Sequence, residues 1–166
     1  MEHDPPRIRR AAPDDAPVLA RLRFAFRAEL GDAVEPEDAF VARCAPWMAE
    51  RLAGDGPWRC WVAEDEGGIV GHAWMQLLEK VPNPVDEREH HAYVTNCYVV
   101  PARRGGGIGG LLLSAALAWC EASGVDAVIL WPSRDSRSLY RRHGFAAPDD
   151  VLQLHLSHRP GNEPAA

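Results

Sequence analysis

Asn96-Cys97-Tyr98-Val99-Val100-Pro101-Ala102-Arg103-Arg104-Gly105-Gly106-Gly107-Ile108-Gly109-Gly110 joins a strand end, a proline stop, two arginines and five glycines set around Ile108. Leu111-Leu112-Leu113-Ser114-Ala115-Ala116-Leu117-Ala118-Trp119-Cys120 follows at once, a strong helix pattern. A strand that passes through glycines into a helix is suited to holding phosphate. Glycine has no Cβ, so the backbone can take a positive φ and approach a ligand closely. The first amides of the helix have no partner within it and sit at the positive end of its dipole, where a pyrophosphate fits.

Three phosphate loops compete for this stretch. The Walker loop needs Lys-Ser/Thr after its last glycine, and Leu111-Leu112 stands there instead. Gly105, Gly107 and Gly110 satisfy G-x-G-x-x-G, the mark of a dinucleotide-dependent oxidoreductase. That fold wants the loop after its first strand and an acidic residue at the end of the next; here several strands precede the loop, and the next ends in Trp131-Pro132. The third is Arg104-Gly105-Gly106-Gly107-Ile108-Gly109, which resembles the R/Q-x-x-G-x-G/A motif of the GCN5-related N-acetyltransferases (GNAT). A second segment resembles the same family: Ser133-Arg134-Asp135-Ser136-Arg137-Ser138-Leu139-Tyr140-Arg141-Arg142-His143-Gly144-Phe145, a short helix with Leu-Tyr that closes on Gly-Phe. The likeness runs from Ile8 to Leu156 and is strongest over residues 92–145.

Composition bounds the rest. At 166 residues the chain suits one domain, with flexible tails expected at residues 1–6 and 159–166. No apolar run approaches the ~20 residues that span a bilayer, and the N-terminus has no signal layout. Cys44, Cys60, Cys97 and Cys120 are scattered without C-x-x-C, so reduced, buried thiols and a cytoplasmic setting are expected. A net charge of −6 argues against a nucleic-acid surface. His90-His91 and His155-x-x-His158 lack the further ligand spacing of a metal site, so no metal is expected.

Along the chain, strands are expected over residues 8–12, 58–64, 69–78, 90–100, 127–131 and 151–156. Helices are expected over residues 16–30, 39–52, 111–123 and 136–143. This order, β-α-α-β-β-β-α-β-α-β, is that of the GNAT fold: an α+β, α/β/α layered domain. The resemblance implies a mixed, mostly antiparallel sheet of about six strands whose central parallel strands splay apart.

The resemblance also implies the chemistry: acetyl passes from acetyl-coenzyme A to a primary amine of a small acceptor, directly, in a ternary complex. Amides of Arg104, Gly105, Gly106, Gly107, Ile108, Gly109 and Gly110 would hold the pyrophosphate, and the backbone of Tyr98, Val99 and Val100 the pantetheine arm. Ser133 and Ser136 would touch the cofactor, and Tyr140 would protonate its sulfur. Arg103 precedes the motif and is read as a solvated charge with a chance of touching phosphate. The strand positions where the family carries its base hold Tyr93 and Thr95, neither a base at neutral pH. Glu89, His90, His91 and Glu29 remain candidates, each also readable as a solvated charge. Tyr93, Thr95, Asn96 and Glu29 are expected around the acceptor, with Asn96 on the opposite face of its strand from Thr95. The acidic segment with Glu29, Asp32, Glu35, Glu37 and Asp38 suggests a cationic acceptor. Cys97 reads as structural, not as a nucleophile. A non-catalytic acyl-coenzyme A sensor stays open, as does a homodimer.

Overall fold

The computed structural model describes residues 5–87, 89–149 and 151–154. Five strands form one sheet in sequence order: β1 (Arg7–Arg10), β2 (Trp58–Asp65), β3 (Gly68–Glu79), β4 (His90–Val99) and β5 (Ala127–Ile129). The first three pairings are antiparallel, and β4 and β5 run parallel. The helices are α1 (Ala16–Glu29), α2 (Glu37–Leu52), α3 (Ile108–Ala122) and α4 (Arg137–Arg142).

Alternation along the strands gives the sheet two apolar faces. Leu19, Ala20 and Met48 of α1 and α2 pack on Cys60, Val62 and Trp74. Leu112, Leu113 and Ala116 of α3, with Tyr140 of α4, pack on Ala63, Ala73, Met75, Ala92 and Val94. The α/β/α layering therefore holds. Pro46 stands inside α2 without ending it. Among the described residues no helix is long and apolar enough to cross a membrane.

Two expectations need correction. Among the described residues the sheet has five strands, against about six expected: residues 151–154 of the expected last strand have no strand structure, and residues 155 and 156 lie outside the described residues. β4 is also not a continuous alternating strand. Its pairing with β3 shifts between His72↔Tyr98 and Trp74↔Thr95, so Asn96 and Cys97 together oppose Ala73. This is a β-bulge, and Asn96 takes the left-handed conformation it requires, with φ 50°. Asn96 consequently shares the α1 side with Thr95: its Oδ1 accepts from Arg23 of α1 at 3.1 Å. Cys97 and Val99 turn to the α3 side, and Tyr98 to α1, where its ring stands 5.4 Å from Phe26.

Candidate active site

Parallel pairing of β4 with β5 lasts three residues, from His91↔Ala127 to Tyr93↔Ile129. Beyond that β4 continues paired with β3 only, while the segment after β5 bends through Trp131 and returns as α4. The two strands thus part, as the resemblance implied. The bulge sits at the parting, and α4 brings the Tyr140 hydroxyl to it from the α3 side.

Tyr140 is buried beside Cys97. Burial, then the Cys97 thiol, push its phenol pKa well above the ordinary value, against a smaller opposing effect of the Ser136 hydroxyl. Tyr140 therefore stays protonated at any assay pH and can act only as a donor or a packing residue. Burial likewise pushes the Cys97 thiol up to about 11. A thiol so rarely ionised is a poor nucleophile, in keeping with a structural role. Ser133 and Ser136 are brought together, with Ser133 Oγ donating to Ser136 Oγ at 2.9 Å.

The glycine run forms an open cradle. A 3-10 turn, Pro101–Arg103, ends β4, and Gly107 caps α3 at φ 79°. Gly105 lies at φ 82°, and a Cβ built at either glycine meets nothing within 4 Å. A glycine-only conformation facing open space at a helix N-terminus fits a pyrophosphate. Against the loop lies a cavity of about 340 Å³ between Pro5, Pro6, Arg103, Gly106, Ile108 and Leu111. From behind, Leu139 of α4 and His143, which caps it, approach Gly109 and Gly110, so the cradle and the Tyr140 helix pack against each other.

Not every expected contact is available. The Arg104 amide is used within the turn, donating to Pro101 O at 3.2 Å. Arg103 is no free charge, since it is ion-paired with Asp65. The Val100 amide donates to Val70 O in the sheet at 2.9 Å. Because strand residues alternate their polar groups between edges, Tyr98 and Val100 face β3 and Val99 faces the parting. Arg104 occupies that edge: its Nε donates to Val99 O at 2.8 Å, and its Nη2 lies 2.8 Å from Glu29 Oε2. Glu29 also accepts from the Tyr98 hydroxyl at 2.6 Å. These bonds, that from Tyr98 first, hold the Glu29 carboxyl below its usual range.

Glu89 and His90 stand at the start of β4, seven residues or so before the bulge, roughly 20 Å away along an extended strand. The structure does not bring them, or His91 beside them, to Tyr140. Tyr93 is closer: its ring meets Trp131 edge-on at 4.8 Å, and this pair walls the parting where β5 ends. Thr95, facing Trp74, sits between Tyr93 and the bulge.

The residues missed from sequence are Arg23 and His72. His72, fully buried, shares the α1 side with Asn96; among the described residues neither ring nitrogen has a well-formed hydrogen bond, and only the nearby Asn96 backbone favours its protonation. Burial lowers its pKa to about 3, with Arg23 adding to the effect.

An open glycine loop on a helix N-terminus beside a parted parallel strand pair is an arrangement suited to a pyrophosphate-linked cofactor. The family model of the acetyltransferase (GNAT) family matches residues 22–145, and the chain belongs to that family. The acyl donor of the family is acetyl-coenzyme A. A mycothiol acetyltransferase of Amycolatopsis mediterranei is 30% identical over 145 residues, 84% of this chain but 45% of its own length. The chain thus spans about half of that relative. An aminoglycoside N(6')-acetyltransferase type 1 of Stenotrophomonas maltophilia is 26% identical across 93% of this chain and 95% of its own. A predicted acetyltransferase of Clostridium acetobutylicum, solved with acetyl-CoA, shares the fold at a TM-score of 0.74 and 24% identity. That match covers 90% of this chain and 96% of the other.

The oxidoreductase reading falls with this membership. The glycine loop follows the fourth strand of a largely antiparallel sheet, not the first strand of a parallel one.

Proposed function

We propose that the chain transfers the acetyl group of acetyl-coenzyme A to a primary amine of a small molecule, directly, with both bound together. The observation that carries this is the placement of Tyr140 against Cys97 where β4 leaves β5, with the open glycine cradle on the adjoining helix. Both curated relatives are named as acetyltransferases, one for mycothiol and one for an aminoglycoside N(6') position, which supports a small-molecule acceptor.

Acetyl-coenzyme A, when bound, supplies a thioester carbonyl open to an amine and a thiol as leaving group. The free amides of Ile108, Gly109 and Gly110 and the glycines before them hold its pyrophosphate. Val99 offers the edge polar groups, once Arg104 swings off its carbonyl. Tyr140 keeps a proton for the departing sulfur, because burial holds its phenol neutral. The Tyr93–Trp131 wall and the bulge bound the side from which the amine arrives. Since Glu89 and His90 lie a strand's length away, the amine arrives as free base or loses its proton to water.

Titration calorimetry with acetyl-coenzyme A, NAD and ATP tests the cofactor, and thiol release over a panel of amines tests the reaction. Acetyl-coenzyme A is expected to bind far tighter than the other two. Equal binding of NAD, or no thiol release with any amine, would overturn the reading.

A further inference from the structure

Arg23 projects from α1 to the bulge of β4 and is half-buried there. Among the described residues its side chain makes one hydrogen bond, from Nη1 to Asn96 Oδ1 at 3.1 Å. Among the described residues no carboxylate pairs with it. Of the five acidic side chains that were expected to attract a cation, Glu29 is matched with Arg104, Asp32 with Arg27 and Glu35 with Arg43, while Glu37 and Asp38 stand in the first turn of α2, at the positive end of that helix. The charge left unanswered beside the transfer point is positive.

A guanidinium cannot shed its proton to escape burial, so a half-buried one without a counter-ion is unfavourable until an anion meets it. Burial first, then Arg27, lower the pKa of Arg23, the direction expected of a cation lacking a negative partner. Around it stand Tyr93, Cys44, the neutral His72 and the Phe26 ring, its centroid 5.7 Å from the guanidinium carbon. None supplies a negative charge at neutral pH. Asn96 Oδ1 accepts from Arg23, and the Asn96 amide nitrogen has no partner among the described residues, so it is a further donor close to the guanidinium. One positive charge, a planar fork and one amide N–H match a carboxylate, a planar monoanion, better than a phosphate dianion.

We propose that Arg23, held by Asn96, receives a carboxylate of the acceptor, so that the substrate is an amino acid or another amine carrying a carboxylate near its reacting nitrogen. This rests on the acetyltransferase reading. Asn96 and Cys97 are chain neighbours whose side chains leave β4 on opposite faces, Cys97 towards Tyr140, so a carboxylate on Arg23 and an amine at the transfer point lie across the strand from each other at the bulge.

The test uses the whole chain with acetyl-coenzyme A and follows thiol release. The acceptors are the twenty common amino acids, their carboxamides, the corresponding decarboxylated amines, a polyamine and an aminoglycoside. Amino acids are expected to be the better acceptors, with kcat/KM falling about 30- to 1000-fold on amidation. Arg23→Gln is expected to erase that preference through KM, leaving kcat and acetyl-coenzyme A affinity near wild type, while Arg23→Lys keeps part of it. If Arg23→Gln fails to fold, the wild-type comparison and Arg23→Lys decide the matter. Turnover of the polyamine or aminoglycoside equal to that of the amino acids, unaffected by Arg23→Lys, would refute the carboxylate site while leaving the acetyltransferase standing. Tight acetyl-coenzyme A binding without thiol release from any amine would instead refute both and favour a sensor.

Discussion

Replacing Gly107 by alanine tests the cradle, because the structure separates strain from contact there. Gly107 caps α3 at φ 79° and ψ 0°, and an added Cβ meets nothing within 4 Å. The protein alone therefore loses only the cost of a left-handed alanine, about 1–2 kcal/mol. For a domain of this size that lowers Tm by roughly 2–8 °C. Gly106 does not have positive φ, and its added Cβ comes no closer than 3.9 Å to Arg103 O. Gly106→Ala should change stability by no more than roughly 0.5 kcal/mol, the spread of neutral surface changes, and so leave the melting temperature nearly unmoved. Both methyl groups stand in the open cradle, so both variants should weaken acetyl-coenzyme A by about 10-fold or more, near the cost of one lost backbone hydrogen bond. Gly31, at φ 74° with equally open surroundings, is the control: Gly31→Ala should lose similar stability and no affinity. Melting curves without ligand and titration calorimetry with it give both quantities. If Gly106→Ala and Gly107→Ala bind as tightly as wild type, the loop merely turns the chain.

Tyr140→Phe should lower kcat by roughly 10- to 1000-fold with little change in acetyl-coenzyme A affinity. Because the phenol pKa is raised well above its ordinary value of 10, wild-type kcat should show no alkaline decline attributable to Tyr140 up to that pH; such a decline, lost in Tyr140→Phe, would contradict the burial argument. His72 titrates near 3 when folded and near 6.5 when unfolded, so the unfolded chain binds the extra proton between those values. Stability should therefore be fully present above pH 6.5 and fall as the pH drops towards 3, by up to about 1.4 kcal/mol per pH unit. Denaturant melts of His72→Phe should have a shallower slope in that window, and an unchanged slope would remove His72 from the account. Glu89→Gln and His90→Gln should leave the pH profile of kcat/KM unmoved, and a shifted acidic limb in either would restore it as the base.

The cradle and the order of the elements were legible because each has a local cause. Glycines before an apolar helix pattern, and Gly-Phe after Tyr140, are written in adjacent residues. What escaped depends on contacts across the sheet. The bulge left one trace: the residues facing α3 along β4 are Ala92, Val94, Cys97 and Val99, so the spacing of two breaks once to three. An asparagine, tolerant of left-handed φ, stands inside the break. The engagement of the Arg104 amide and of Arg103 with Asp65 could not be read from the motif, since both depend on where the chain folds back. Glu89 and His90 were adjacent in sequence to the site-bearing strand, yet a strand's rise carries them to its far end. The last expected strand rested on alternation alone, and alternation without a partner edge does not make a strand.

Asn96 is the supernumerary residue of β4. Without it Tyr93, Thr95 and Tyr98 would still face α1, and Val94, Cys97 and Val99 would still face α3. The core therefore does not need it: a chain shortened by that residue could close an uninterrupted ladder against β3 and shed a left-handed asparagine. What Asn96 adds is on the α1 side: its amide oxygen takes the Arg23 guanidinium, at the cost of a kink in the ladder with β3. Deleting Asn96 is thus a change that can firm the fold while silencing the protein, a separation that substitution of a buried side chain rarely provides.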